Sequence, residues 1–426
     1  MSRPTALDAS RVEPADLRPA QLAWLAAAVF VVSAGYGALL PLLPGWLASM
    51  MPIAYGPEVA RHVGFLSGVY AAGVLIGAPL WGVVSDRTGR SRILIVGLIG
   101  YVASLLLLLV PAFSSLWSLY ALRGMTGFFV AAVVPVVSAL VAENTPDQHR
   151  ARRFAWLGAV SLLGFLFGPA LNVAADVVAR WTGDGLMSSV QAVIVLSALS
   201  GAVMMVGLTR TLPAPGSAAA PAYAGPAAYG GARLMSLWWV SGTVMFVLAG
   251  FELGIVLQGQ QQAVLSARQA AMMLAECSLV MLGINAFLFF TGLLEKVPSR
   301  TLLAAGMILA LAGLAVLTIH RSEVWMYLGV SLTAAGTGLI LPVVAYLAAG
   351  ASFNKLGATM GGLAAAAGLG QTLGSAFGGW LFGSFPQGGF GWLSIPLVVM
   401  LGFLWARRDG CADSPRSTAQ PPRSAS

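Results

Sequence analysis

Long apolar runs separated by short polar stretches dominate the chain. A helix of about 20 residues crosses the ~30 Å hydrocarbon core of a bilayer. Runs of that length predict twelve membrane-spanning helices, at 22–42, 64–84, 93–111, 116–141, 154–177, 187–208, 235–257, 268–292, 301–319, 324–348, 357–383 and 389–406. The expected fold class is therefore an all-α membrane protein. The polar segment Met1–Ala20 balances three arginines against Asp8, Glu13 and Asp16 and lacks a short apolar stretch with a small-residue cleavage site, so it reads as a cytoplasmic tail.

Lys and Arg positions set the orientation. With the N-terminus inside, cytoplasmic segments hold 18 of them and external loops hold four, Arg61, Arg180, Arg268 and Arg321; Arg123 alone falls inside a span. The opposite topology inverts this bias, so both termini are expected in the cytoplasm, with the chain in the inner membrane. Trp24, Trp46, Trp117, Trp181, Trp239, Trp325 and Trp405 lie near span ends, as interfacial anchors do, whereas Trp81 and Trp380 are candidates for deeper packing. Composition agrees: 58% of residues are apolar, 9% are charged, and the mean hydropathy is +0.84. The net charge of +8 is spread over short loops and gives no nucleic-acid face. Cys277 in an apolar run and Cys411 in the polar tail exclude a disulfide scaffold.

The longest polar interruption, 210–234, is rich in Pro, Ala and Gly and reads as a cytoplasmic linker. It divides the chain into a tail (1–20), a six-helix bundle (21–209), a second bundle (235–406) and a C-terminal tail (407–426). The halves repeat one another in order. Ala34-Gly35-Tyr36 matches Ala249-Gly250-Phe251, and Gly82 to Arg87 loosely matches Gly292 to Lys296. Thr126-Gly127 with Pro135 matches Thr337-Gly338 with Pro342, and Gly164-x-x-x-Gly168-Pro169 matches Gly370-x-x-x-Gly374-Ser375. Duplicated six-helix halves with a site between them near the midplane are an architecture of secondary transporters.

At these motifs the chain resembles the major facilitator superfamily. Gly82-Val-Val-Ser-Asp86-Arg87-Thr-Gly89-Arg90-Ser-Arg92, between spans two and three, is an almost complete copy of that family's signature loop. Arg123-x-x-x-Gly127-x-x-x-Ala131 resembles a second family motif, and Gly164 to Pro169 resembles the motif of its twelve-span drug:proton antiporter branch. The sequence departs from that branch at Asn172 and Val173, where a glycine pair is usual; the second half keeps the pair as Gly378-Gly379. The resemblance implies two pseudo-symmetric six-helix bundles and a role for Arg123 in proton coupling.

Physical roles follow for each motif. Asp86, with Gly82, Arg87, Gly89, Arg90 and Arg92, can form a charge-assisted latch between helices in one conformation, or the arginines can be ordinary positive-inside residues. Gly164, Gly168, Gly370 and Gly374 give their helices smooth faces for close packing, and Pro169 is expected to bend span five.

Ionisable groups inside spans are costly unless they meet a partner or water. Arg123 needs pairing or hydration. Glu252 and Glu276 are the carboxyl groups well inside the predicted hydrocarbon region. A carboxyl group there can exchange a proton against a cationic substrate, the requirement for antiport. Glu252 aligns with Gly37 in the repeat and is the first candidate, with Glu276 as its partner; each can instead be a permanently neutral acid bonded to a neighbouring helix. Tyr36 is a further candidate for cavity contact.

The sequence has no Walker A motif, and His62, His149 and His320 are expected at loops on different sides. No enzyme activity, cofactor or metal is expected. Partners are a small-molecule substrate, protons as coupling ion and the lipid bilayer, with the chain working as a monomer. The expected function is proton-coupled efflux of a small amphipathic or cationic molecule. A dedicated exporter of an endogenous metabolite such as a siderophore, a nutrient importer and a non-transporting receptor or regulator with the same fold stay open.

Overall fold

A computed structural model describes residues 17–51, 56–113, 115–145, 147–181, 188–212, 232–261, 266–320, 322–351, 356–386 and 388–406. Among them no strand occurs. The helices are α1 Pro19–Leu39, α2 Leu43–Met50, α3 Gly56–Thr88, α4 Arg90–Leu107, α5 Leu116–Val130, α6 Val134–Glu143, α7 Asp147–Leu166, α8 Gly168–Trp181 and α9 Ser189–Thr211. After the segment 213–231 come α10 Ala232–Gln261, α11 Ala267–Thr291, α12 Leu293–Lys296, α13 Ser299–Ile319, α14 Glu323–Ala351, α15 Leu356–Ser384 and α16 Gly389–Ala406. The expected tails fall almost wholly, and the expected linker mostly, outside the described residues.

Eleven spans in the described residues are long and apolar enough to cross a membrane. The expected eleventh span, α15, has the length but carries nine glycines among its 29 residues, which dilute its hydropathy. The outer surface is apolar, with Phe290, Val324 and Val399 all more than half exposed, the reverse of a soluble protein. Trp117, Trp181, Trp239, Trp325 and Trp405 are exposed near helix ends. Trp81 packs inward and donates to the Phe128 carbonyl at 2.8 Å, whereas Trp380 is exposed, against its expected deeper packing.

Prolines cut three of the first spans. A short 3₁₀ turn, Leu40–Leu42, containing Pro41, separates α1 from α2, and α6 begins just before Pro135. Phe167 lies between α7 and α8 with Pro169 as the second residue of α8, so the expected bend is a break. Pro342 and Pro396 instead lie inside continuous α14 and α16. Serines 115, 188 and 266 cap α5, α9 and α11 by accepting from the backbone three residues on.

Helix α3 starts eight residues before the predicted span, because hydropathy marks the hydrocarbon crossing and not the whole helix. Arg61 and His62 therefore lie on a helix and not in a loop; Arg180 is in the last turn of α8, Arg268 is on α11, and His149 falls within α7. His62 Nδ1 meets the Tyr120 hydroxyl at 2.7 Å. The asparagine at the absent glycine pair, Asn172, buries an Oδ1 that has no hydrogen-bond partner among the described residues.

The basic end of the bundle is where α3 ends and α4 begins. There Gln21 of α1 donates to the Thr211 carbonyl at 3.0 Å, and Arg300 of α13 donates to the Leu404 carbonyl at 3.1 Å. At the opposite end, α3 and α15 cross almost backbone to backbone. A Cβ on Gly64 would lie 2.5 Å from Gly379 Cα, one on Gly68 would lie 3.3 Å from Ala376 Cβ, and one on Gly383 would lie 2.7 Å from the Pro57 carbonyl. Towards the basic end this contact is lost: Gly361 faces open space, and Ile76, Leu80 and Val83 of α3 are exposed. Helices before and after residues 213–231 thus meet at one end and separate at the other.

Candidate functional site

Between these two ends lies a polar cluster drawn from both parts of the chain. Arg123 of α5 is 1% exposed, the largest fully buried side chain among the described residues. Its guanidinium sits over the Tyr70 ring of α3, 4.6 Å from the centroid. Nε and Nη2 are buried without hydrogen-bond partners among the described residues, and no carboxylate pairs with it there. Attraction to the ring face offsets part of the desolvation of the cation. Small residues make the site: a Cβ on Gly127, one turn after Arg123, would collide with the Tyr70 backbone, so α3 and α5 are in direct contact.

Tyr70 stacks on Tyr36 of α1, with centroids 5.0 Å apart and planes at 26°. Tyr36 also meets Phe165 of α7 at 5.9 Å, and Tyr101 of α4 closes the layer, its hydroxyl where a Gly35 Cβ would stand. The Tyr36 hydroxyl lies in the neighbourhood of Gln371 of α15 and Glu252 of α10. Tyr36, Arg123 and Glu252 thus converge, as candidates from separate spans, on one region. Tyr70, Tyr101 and Gln371 join them, none of which sequence reasoning singled out. Gln371 is one residue from Gly370 of the expected packing motif, a signal that could have found it.

Glu252 has neither a hydrogen bond nor an ion pair among the described residues, and it is partly accessible despite lying in the middle of α10. Cys277 of α11 is buried close to Glu252. Glu276, the expected partner of Glu252, bonds to α14. It accepts a hydrogen bond from the Ser331 hydroxyl of α14, while its Oε2 is buried without a partner among the described residues.

The signature loop forms a separate ionic knot at the basic end. Arg90 Nη2 lies 2.5 Å from Asp86 Oδ1 and 2.6 Å from Glu143 Oε1, Nε donates to the same Glu143 oxygen at 3.0 Å, and Nη1 donates to Ser85 Oγ at 2.5 Å. Arg90 thereby ties the α3–α4 turn to the end of α6. Glu143 was not anticipated, since a carboxylate at a span end reads as an ordinary interfacial residue. Gly89, at φ +99°, starts α4 in a conformation that costs a side chain about 1–2 kcal/mol. Arg87 and Arg92 are exposed, and Gly82 faces open space, its carbonyl accepting from Ser85 at 2.8 Å.

The packing glycines are all used. Cβ atoms on Gly164 and Gly168 would strike α1 at Phe30–Ala34 and Gly37–Ala38, and on Gly370 and Gly374 they would strike α10 at Gly242 and Phe246. The two stretches play the same part against α1 and α10, as the sequence repeat implies.

Comparison with known proteins completes the picture. The sequence model described as Major Facilitator Superfamily matches residues 25–285. Tetracycline resistance protein class B of Escherichia coli is 37% identical over 138 residues, covering 32% of this chain and 33% of that protein. Quinolone resistance protein NorA of Staphylococcus aureus is 27% identical over 144 residues, 34% of this chain and 35% of that protein. The chain thus matches about a third of the length of these curated relatives. Among solved structures, the human organic anion transporter MFSD10 (TETRAN) aligns over 91% of this chain and all of its own, with a TM-score of 0.68 at 18% identity. The nucleoside transporter NupG aligns over 91% of this chain with a TM-score of 0.67 at 11% identity. At such identities the structural likeness concerns the fold.

Proposed function

This chain belongs to the Major Facilitator Superfamily, and from that premise we propose that it is a secondary active transporter that exports a small amphipathic or cationic molecule in exchange for protons. The observation that carries the reading is the convergence of Glu252, Tyr36, Gln371 and the Tyr70–Arg123 pair between an end where α3 and α15 close together and an end where they part. Such an arrangement suits alternating access, in which one site faces each side of the membrane in turn.

The chemistry follows from the two charges. Glu252 in its charged form has no cationic partner among the described residues, and an uncompensated charge inside a membrane costs several kcal/mol. A proton or a cationic substrate relieves that cost, and the two compete for it. Arg123 holds a fixed positive charge under the tyrosine layer of the other half, so the site carries opposite polarity on its two walls. The aromatic layer of Tyr36, Tyr70 and Phe165 supplies apolar contact area for an amphipathic cargo.

The arginine distribution supports a cytoplasmic basic end. The α3–α15 crossing then closes the external side, and the conformation described here faces inward. In this reading the Asp86–Arg90–Glu143 knot steadies the cytoplasmic ends of α3, α4 and α6 while the two six-helix bundles rock against each other.

The relatives' names point to tetracyclines and quinolones as the first compounds to try. Inverted membrane vesicles containing the protein are energised to an acid interior, and a tetracycline, a quinolone and a panel of lipophilic cations are added in turn. Export predicts accumulation of at least one compound that collapses with a protonophore, with proton efflux on its addition. Accumulation that survives the protonophore contradicts proton coupling. No movement of any compound by correctly folded protein contradicts export of this substrate class.

A further inference from the structure

A groove runs along the lipid-facing side of α9, away from the central site. It is an open furrow of about 470 Å³ lined by Leu199, Ala202, Val203 and Val206, with Trp24 of α1 as one wall and Arg210 at its basic end. Gly207 lets the Trp24 ring pack directly against α9 and form that wall: a Cβ there would run into the indole. From Leu199 to Arg210 the helix rises about 16 Å, roughly half the ~30 Å hydrocarbon thickness, so the groove has the depth of one leaflet.

Charge is gathered at one end only. Gln21 accepts from the Arg18 backbone N–H at 3.0 Å and donates to the Thr211 carbonyl at 3.0 Å, clipping the start of α1 to the end of α9. This brings Arg18 and Arg210 to the same corner. Both are exposed, and neither guanidinium has an ion-pair partner among the described residues. Two exposed cations at the headgroup level, without an ion-pair partner among the described residues and above an apolar channel one leaflet deep, match the shape and charge of a membrane lipid with an anionic head.

We propose that this groove holds one anionic glycerophospholipid. Its phosphate pairs with Arg210 and Arg18, and one acyl chain lies along Leu199, Val203 and Val206 against the Trp24 indole. The bound lipid bridges α1 and α9 beside the Gln21–Thr211 clip and reinforces their packing at the basic end.

The test uses the full-length protein, delipidated in detergent and titrated with dioleoyl phosphatidylglycerol or dioleoyl phosphatidylcholine, with bound lipid counted by native mass spectrometry. One phosphatidylglycerol per chain is expected to persist at collision energies that strip phosphatidylcholine. Each arginine contributes about a fivefold change in affinity. The double variant Arg18→Gln/Arg210→Gln therefore weakens phosphatidylglycerol retention by roughly 25-fold, leaves phosphatidylcholine unchanged, and disturbs no packing. Ala202→Trp fills the groove and removes the tight lipid with both arginines intact, and Arg153→Gln, on α7, changes nothing. Equal retention of the two lipids by the wild type, or undiminished phosphatidylglycerol binding in the double arginine variant, would overturn the proposal.

Discussion

The close approach of α3 and α15 makes a sharp prediction about Gly379. A Cβ placed there would lie 2.5 Å from Gly64 Cα and 2.7 Å from the Ala60 carbonyl oxygen, both backbone atoms that cannot rotate away. Carbon atoms rest at about 3.5–4.0 Å, so Gly379→Ala forces the two helices apart by about 1 Å. Overpacking of this kind costs about 1–3 kcal/mol. In alternating access only the state closed at this end bears that cost, so the equilibrium moves towards the other state by about 5–150-fold. The assay is thiol labelling in membranes of a cysteine at Ala60, which is 1% exposed within the crossing, after Cys277→Ser and Cys411→Ser. Gly379→Ala is expected to raise the labelling rate at least fivefold, whereas Gly361→Ala, where the Cβ meets open space, leaves it unchanged. A labelling rate in Gly379→Ala within twofold of the parent would refute both the tightness of the crossing and its part in gating.

Other substitutions probe the remaining parts. Glu143→Gln removes one of two carboxylates from Arg90 in a half-exposed setting; a loss of about 1 kcal/mol or less is expected, seen as a few-fold slower transport that becomes less sensitive to ionic strength. Gly89→Ala strains the start of α4 by about 1–2 kcal/mol and should lower the melting temperature without altering substrate affinity. Tyr70→Leu takes the ring from beneath the Arg123 guanidinium, and loss of a desolvated cation–π contact of about 2 kcal/mol should weaken binding or coupling in a fluorescence titration, whereas Tyr120→Leu, outside the cluster, should not.

Much of the fold was legible because a bilayer demands long apolar helices. What hydropathy could not show was where helices continue past the hydrocarbon. The start of α3 carries Glu58 and Arg61 and reads as a loop, yet it is helix because it packs against α5 and α15. The glycines of α15 conceal it from a hydropathy criterion while fitting it for backbone-to-backbone crossings with α3 and α10. Among site residues, Arg123, Tyr36 and Glu252 stood out because each carries a polar group that hydrocarbon does not tolerate alone. Tyr70, Tyr101 and Gln371 did not, since tyrosines are common in spans and facing depends on helix rotation, which a single sequence leaves free. Glu276 shows the same limit: its depth was legible, but its orientation towards Ser331 was not. The signature loop was readable up to Arg90, whose second carboxylate, Glu143, comes from a helix 53 residues further on.

The central claim is that Glu252 couples transport to protons, and Glu252→Gln in proteoliposomes tests it most directly. Two modes are measured side by side with a compound the wild type exports: accumulation driven by a pH gradient, and exchange of labelled for unlabelled compound with no gradient. The account predicts that the variant loses driven accumulation and the accompanying proton flux while it still exchanges, because the site opens to either side but has no proton to give up. Driven accumulation and proton flux equal to the wild type would contradict it.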